Sequence, residues 1–554
     1  MMYLECFYKV ILRSLNQIIN MKKNLFTVFL VLAVLLQACQ SDHVNDSATN
    51  AVAKVVLNSD SNLLANRMDF EKSGVITLTT SKLTSKSSSG ADNFPMSLLA
   101  EVKPPVYEGK TLTATHVDVK DNYVYVAYST QGETYLGGID VIDVSQPNSP
   151  KLVVQALLPN TDINTVVYNN GVLYLTGATS LDANPELPTP AFVAKMTLQN
   201  GLLSNNYTMV SVAGKVSTGV AVANSSYYSI SGFTGAVTKI NKTTNTIQTA
   251  IAVEDLRALG LMDNKVVVMS GTQGIKIYNG DSMALISSIT TATDVPDAKR
   301  TIDFQGSNLV VSNGYNGVQV YNVAGSLLQT LSLPTGIANV DQIDIVTNAV
   351  SVNGEYVYAA NGAAGVAVYK NTNNTLVSIG SIFLGDSSNY VKSVGDYIFV
   401  ATGKGGLKII KKLNAVLDCA SFPTYKGGNW LNVNSGESLN YQGATSLQGV
   451  NVNQNLAFCG SLSISQGVNI NSNGVFTMKG SMAQGQYRSE STNFNVNGTL
   501  KIDGSVVIYG NLILNSNAKL EFASGSTITI YGKVTKNNGV TITGNFTDTE
   551  NKLK

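Results

Sequence analysis

The chain is poor in the side chains that carry most protein chemistry. Of 554 residues only 13% are charged, and histidine occurs twice, as His43 and His116. Soluble domains average about 25% charged residues. Lys+Arg (37) and Asp+Glu (36) nearly cancel, leaving a formal net charge of +1. That balance excludes a strongly basic nucleic-acid binder. The scarcity of imidazole removes the side chain that most often exchanges protons near neutral pH. Proline (12), cysteine (4) and tryptophan (Trp430 alone) are also sparse. Zinc fails on ligand count, with no cysteine pair beside a second folded-body histidine. No D-x-D-x-D-G calcium loop and no G-x-S-x-G elbow occurs. The chain is nonetheless 44% hydrophobic, so it is no disordered polyampholyte. Glycine (48) and tyrosine (25), with many Ser, Thr and Asn, fill the space left by charge. This composition points to an all-β, exported protein with no cofactor and no metal.

The N-terminus reads as an address. Lys22 and Lys23 precede a twelve-residue apolar run, Leu25 to Leu36. A bilayer span needs about 20 residues, so this run suits a signal-peptide core instead. Leu36-Gln37-Ala38-Cys39 resembles the lipobox of bacterial lipoproteins, in which the cysteine carries the lipid. The expected boundaries are a mis-assigned start over 1–20, with translation beginning at Met21, a signal peptide over 21–38 and lipid on Cys39. Residues 39–95 are rich in Ser, Asn, Asp and Lys and read as a mostly flexible tether, with a short strand around Gly74–Thr80. The weakly acidic stretch Gln40-Ser41-Asp42-His43 resembles the surface-export signal of Bacteroidetes lipoproteins. These features imply an outer-membrane, surface-exposed lipoprotein held to the membrane by its lipid.

Repeats decide the fold of 96–412. An alternating strand, a turn, a Tyr/Val-rich strand, a Gly-containing turn and another alternating strand recur seven times. Anchoring the middle strands at Tyr125, Tyr174, Tyr228, Val267, Val310, Tyr358 and Phe399 gives steps of 49, 54, 39, 43, 48 and 41 residues. Period-two strands repeating every 40–50 residues predict propeller blades, and seven copies predict a seven-bladed ring. Residues 137–159 (GGIDVIDVSQPNSPKLVVQALLP) resemble the LVIVD repeat of bacterial and archaeal surface propellers, through Gly137-Gly138, the Ile139–Val144 strand and Pro147/Pro150. The other blades keep the alternation and lose the Asp and the Pro-x-x-Pro turn. The resemblance implies a propeller and no particular reaction. Met96–Val102 resembles a blade's outer strand and is expected to pair with the last blade and close the ring.

From 413 to 554 the rhythm tightens. Leu500/Ile502, Val506/Ile508 and Leu512/Leu514 step by six, as do Gly498, Gly504 and Gly510. Short strands separated by close turns predict a parallel β-helix or solenoid rather than a β-sandwich, which wants longer strands. Cys419 and Cys459 are expected to form a disulfide; two buried free thiols are the alternative.

The function expected is that of a non-enzymatic interaction scaffold. Its partners would be an outer-membrane protein or a glycan, and no nucleic acid. Two alternatives stand beside it. One is glycan binding for nutrient capture or adhesion. The other is a hydrolase on the propeller face around His116, which otherwise reads as a structural histidine at the ring tunnel. The acids of the solenoid (Glu437, Glu490, Asp503, Glu521) are too dispersed for a glycosidase pair. Long loops over 128–138 and 177–190 sit on neighbouring blades, where a rigid scaffold concentrates function. Tyr128, Tyr135, Asp182 and Glu186 are the candidate binding patch.

Overall fold

Strand alternation of the kind just described produces seven separate antiparallel sheets arranged in sequence. The computed structural model describes residues 55–79, 93–130, 132, 134–291, 299–415, 417, 419, 421–487, 489 and 492–553. The start at Met21, the signal peptide and the lipid site Cys39 lie outside the described residues.

Each blade is a four-stranded meander. Blade 1 comprises Thr113–Lys120, Tyr123–Ser129, Leu136–Asp143 and Lys151–Pro159. Blades 2 to 6 repeat the plan, ending at Thr375–Ile382. All seven anchors lie on second strands, and each is at most 4% exposed. The physical cause is simple. A second strand is covered by the sheets on both sides, so both of its faces must be apolar. Outer strands, covered less, expose Leu285, Leu327 and Ile247 at their beginnings.

Blade 7 supplies only three strands in sequence, Tyr390–Val394, Tyr397–Ala401 and Leu407–Lys412. Its fourth is Met96–Val102, antiparallel to the third, with Leu407 opposite Val102 and Lys412 opposite Met96. The N-terminal strand therefore closes the ring. Met96, Leu98, Leu99, Ala100 and Val102 are all buried there. Lys408, 1% exposed at its side chain, pairs at 2.8 Å with both Glu101 and Asp386, so its charge is answered twice.

Residues 55–79 correct the expected tether, because they belong to the folded body. Val56–Asn58 adds a fifth strand to blade 1. Asp60 caps the short helix Ser61–Ala65 by accepting from the Asn62 and Leu63 amides, and Leu64 is buried beneath it. Arg67 then clasps blade 1. It meets Asp140 at 2.5 and 2.8 Å, Gln155 at 2.7 Å and the Lys103 carbonyl at 2.7 and 3.0 Å. A composition rich in Ser, Asn, Asp and Lys suggested a tether; a single arginine with a buried partner helps to fix part of it.

The C-terminal region is a parallel solenoid. One face is the six-stranded sheet beginning at Trp430–Val433, and the other begins at Ser438–Leu447. Rungs advance by 17 to 26 residues: Ser438 pairs with Asn455, and Val468 with Phe494. The six-residue glycine step is therefore not a rung. Leu500/Ile502 and Val506/Ile508 share one ten-residue strand, Thr499–Ile508, which turns a corner at Gly504. Gly443, Gly460, Gly480 and Gly504 stack in register at this corner, all with φ between 113° and 139°. A Cβ on any of the last three would lie 2.1–2.3 Å from the carbonyl oxygen of the glycine one rung back. Only glycine fits. Along the other sheet, Asn432, Asn451, Asn469 and Asn495 pass amide hydrogen bonds of 2.8–2.9 Å from rung to rung. Cys419 and Cys459 are bridged, with Cα atoms 6.0 Å apart, at the entry to this region.

Candidate functional site

The four residues of the expected patch part company. Tyr128 is fully buried, because its strand continues to Ser129 and the loop proper is only 130–135. Its hydroxyl faces the Arg67–Asp140 pair; burial, then the Asp140 charge, push it well above the usual phenol range. It is a packing residue and leaves the patch. Tyr135 is half-buried on the remaining loop, while Asp182 and Glu186 are exposed on 180–190. That second loop is ordered by its own polar groups. Asn184 donates to Thr179 Oγ1 at 2.8 Å, and Thr189 donates to the Val212 carbonyl at 2.6 Å. Glu186 borders a depression of about 430 Å³ with Val55, Asn184, Asn205, Tyr207 and Met209. Tyr135 does not line it.

The denser polar cluster is at the propeller axis. On each inner strand one residue pairs with the middle-strand anchor, seven positions later. These residues are Asp118, Val167, Ala221, Gly260, Asp303, Ser351 and Lys392. They form one layer around the axis. Three of them accept an amide hydrogen bond from the next blade, each from the residue just after that blade's own layer position. Asp118 accepts from Tyr168 at 2.7 Å, Asp303 from Val352 at 2.7 Å and Ser351 from Ser393 at 3.0 Å. Thr115, Asn164, Thr165 and Thr218 add further bonds to backbone carbonyls of the following blade. Separate sheets cannot share a backbone ladder, so side chains at the axis fasten them.

Burial raises the Asp118 and Asp303 carboxyls above their ordinary range; the amide bonds and Lys392 pull back in both. His116 stands one turn of the alternation away and packs against Tyr390, ring centroids 4.3 Å apart and planes tilted by 36°. Burial, then the Lys299 and Lys392 charges, hold its imidazole well below the usual range, so it is neutral at pH 7. Lys299 donates to the carbonyls of Thr115 and Asn164 and lies 5.0 Å from the Tyr390 ring centre. Burial lowers it to about 7.

The His116 Nδ1 atom is buried without a hydrogen-bond partner. Its neighbour Thr115 already donates toward backbone carbonyls at 3.1 and 3.2 Å. Asp118 is likewise engaged as a fastening between blades. Among the described residues, no three His, Cys, Asp or Glu side chains converge on a metal position. The sequence pointed to His116 and passed over Lys299, Asp303, Tyr390 and Lys392. The signal that finds Asp303 and Lys392 is the constant offset of seven from each anchor.

No protein-family description and no curated protein matches the chain. Among the solved structures similar to part of the chain are the following two. "Structure of U3-55K" is 14% identical over 56% of this chain and 98% of its own, with a TM-score of 0.43. A crystal structure of the computationally designed Ika8 protein is 14% identical over 62% and 98%, with a TM-score of 0.39. Seven blades followed by a parallel solenoid describe the chain.

Proposed function

We propose that this chain is a non-enzymatic surface lipoprotein of the outer membrane, anchored through Cys39, that acts as a scaffold for a protein partner. Within this reading the propeller is a divergent member of the LVIVD-like group. The observation that carries it is the joint between the two folded bodies. The Val75 amide donates to the Gly485 carbonyl at 2.9 Å, and the Tyr487 amide to the Ser73 carbonyl at 2.8 Å. Tyr509 donates to or accepts from Ser97 at 3.0 Å, and Tyr531 bonds the Asn148 carbonyl. Tyr509 and Tyr531 stack 5.3 Å apart at 8°. Ala483, Val507 and Tyr509 belong to the same buried cluster as Leu98 and Leu99. A joint of this kind holds two binding surfaces at a fixed spacing, which is what a scaffold requires. Asp118, Asp303 and Ser351 at the axis are committed to holding blades together, which weighs against a reaction that uses them.

Mild crosslinking and pull-down from intact outer membranes tests the proposal. Stoichiometric recovery of a membrane barrel or secretion component is expected. Recovery of the chain alone with bound polysaccharide would overturn it in favour of nutrient capture. The depression beside Glu186 and Tyr207 is the feature that favours that second reading. In the same cells, Cys39→Ser should move the protein from the membrane to the soluble fraction.

A further inference from the structure

A second depression, of about 660 Å³, lies on the flank of the solenoid and is lined by Tyr487, Asn493, Asn511, Ile513, Tyr531, Gly532, Lys533 and Lys552. Its volume is within the range of ligand sites. We infer that it is a saccharide-binding groove that favours acidic oligosaccharides. The argument rests on three kinds of group meeting in one place.

The first is aromatic. Tyr487 stands nearly perpendicular to Tyr531, with centroids 6.3 Å apart and planes at 80°. Tyr531 is held by the stacked rings of Tyr509 and Phe70, 5.3 and 6.4 Å away, and by its bond to Asn148. Tyrosine offers an apolar face beside a polar tip, which matches the two-sided character of a sugar ring.

The second is a pre-set amide row. Asn511 donates to Asn493 at 3.1 Å and itself accepts from the Lys533 amide at 3.0 Å. These bonds orient both carboxamides, whose remaining donor capacity suits vicinal hydroxyls. Orientation in advance lowers the ordering cost of binding.

The third is cationic. The Lys552 ammonium donates to the carbonyls of Tyr531 and Gly532 at 3.0 and 2.9 Å, which fixes its charge at the groove and leaves a third proton. Lys533 is exposed beside it. No carboxylate lines the groove among the described residues; Glu550 is near enough to act on the Tyr531 hydroxyl but stands outside the lining. Among the described residues Ile513 is the one aliphatic wall, too little for a peptide's side chains. Two cations over aromatic and amide groups fit a carboxylated sugar best.

The inference is independent of the scaffold proposal, because the groove lies on the solenoid whatever the propeller recruits. The test is calorimetric titration of the full folded chain with tetragalacturonate and with cellotetraose. Galacturonate should bind roughly tenfold more tightly than the neutral sugar. Tyr487→Ala should weaken both. Lys533→Glu changes an exposed side chain whose backbone makes the ladder bond, and should abolish the preference for acid. Lys501→Glu, at an exposed pair with Glu521 elsewhere on the solenoid, should leave binding unchanged. No heat with either sugar overturns the inference, as does loss in Lys501→Glu equal to that in Lys533→Glu. Equal affinity for the two sugars overturns its acidic part.

Discussion

Propeller and solenoid use one composition in opposite ways. In the propeller each sheet's ladder ends within its blade, and neighbouring blades meet through packed faces, single backbone bridges such as Gly362–Ser388, and the axial fastenings of Asp118, Asp303 and Ser351. In the solenoid the backbone ladder itself runs from rung to rung, and each residue sits on its equivalent in the rung below. The difference sets what each repeat must preserve. Blades need alternating polarity, and only three of the seven carry an acceptor in the axial layer, so Val167, Ala221, Gly260 and Lys392 stand where Asp118 stands in blade 1. Rungs need identity at the corner and regular stacking on the flat face, hence the glycine and asparagine columns.

Four experiments press on that contrast. The largest effect is expected from a chain beginning at 110, which loses the closing strand and the Arg67 clasp. Buried side chains of the Leu and Val kind contribute about 1.5–3 kcal/mol each, and the strand carries several. Thermal unfolding should fall far below the full body; an unchanged midpoint would show that the ring does not depend on its closure.

Next comes a pair of glycine substitutions. Gly480→Val places a side chain on the Gly460 carbonyl and should cost more than about 4 kcal/mol, disrupting the solenoid. Gly395→Ala, at φ +57° with open space around it, should cost only about 1 kcal/mol. Chemical denaturation measures both, and equal losses would erase the distinction between repeat types.

Reducing Cys419–Cys459 comes third. Its 40-residue separation corresponds to about 4 kcal/mol in the chain-entropy treatment. Thiol titration of the denatured, unreduced chain should find neither sulfur free. The loss on reduction should fall on the solenoid transition and spare the propeller.

The smallest effect concerns Asp162. Burial raises its carboxyl to about 6, against the amide of Leu136 at 3.0 Å, which lowers it. The folded state therefore holds a proton that the unfolded chain releases near pH 4. Stability should decline as pH rises from about 4 to 6 and the cost should then be complete. Asp162→Asn should flatten that part of the Tm profile. A profile as steep as the parent's would count against the raised value.

Much of the architecture was legible in the chain. Alternation alone located all seven middle strands, because burial on both sides leaves a period-two, apolar trace. The closing strand was legible for the same reason. Rung length was not, since a corner glycine inside Thr499–Ile508 looks like a turn between strands. Tyr128 was misplaced because a strand end and a loop start share the same residues, Tyr and Ser. The Arg67 clasp spans 73 residues to Asp140, and no local pattern records a contact of that reach. The axial layer was readable only after the anchors were aligned.

The closure has a consequence for synthesis. A ribosome delivers Met96–Val102 before any blade, while its partner Leu407–Lys412 follows only after six blades have emerged. For that interval the nascent ring has two open edges, the kind that invites pairing with other chains. The seal comes later still. Tyr509, 412 residues beyond Ser97, reaches back to the closing strand. The last region made thus locks the first, so a chain cut short within the solenoid would leave its ring shut but unbolted.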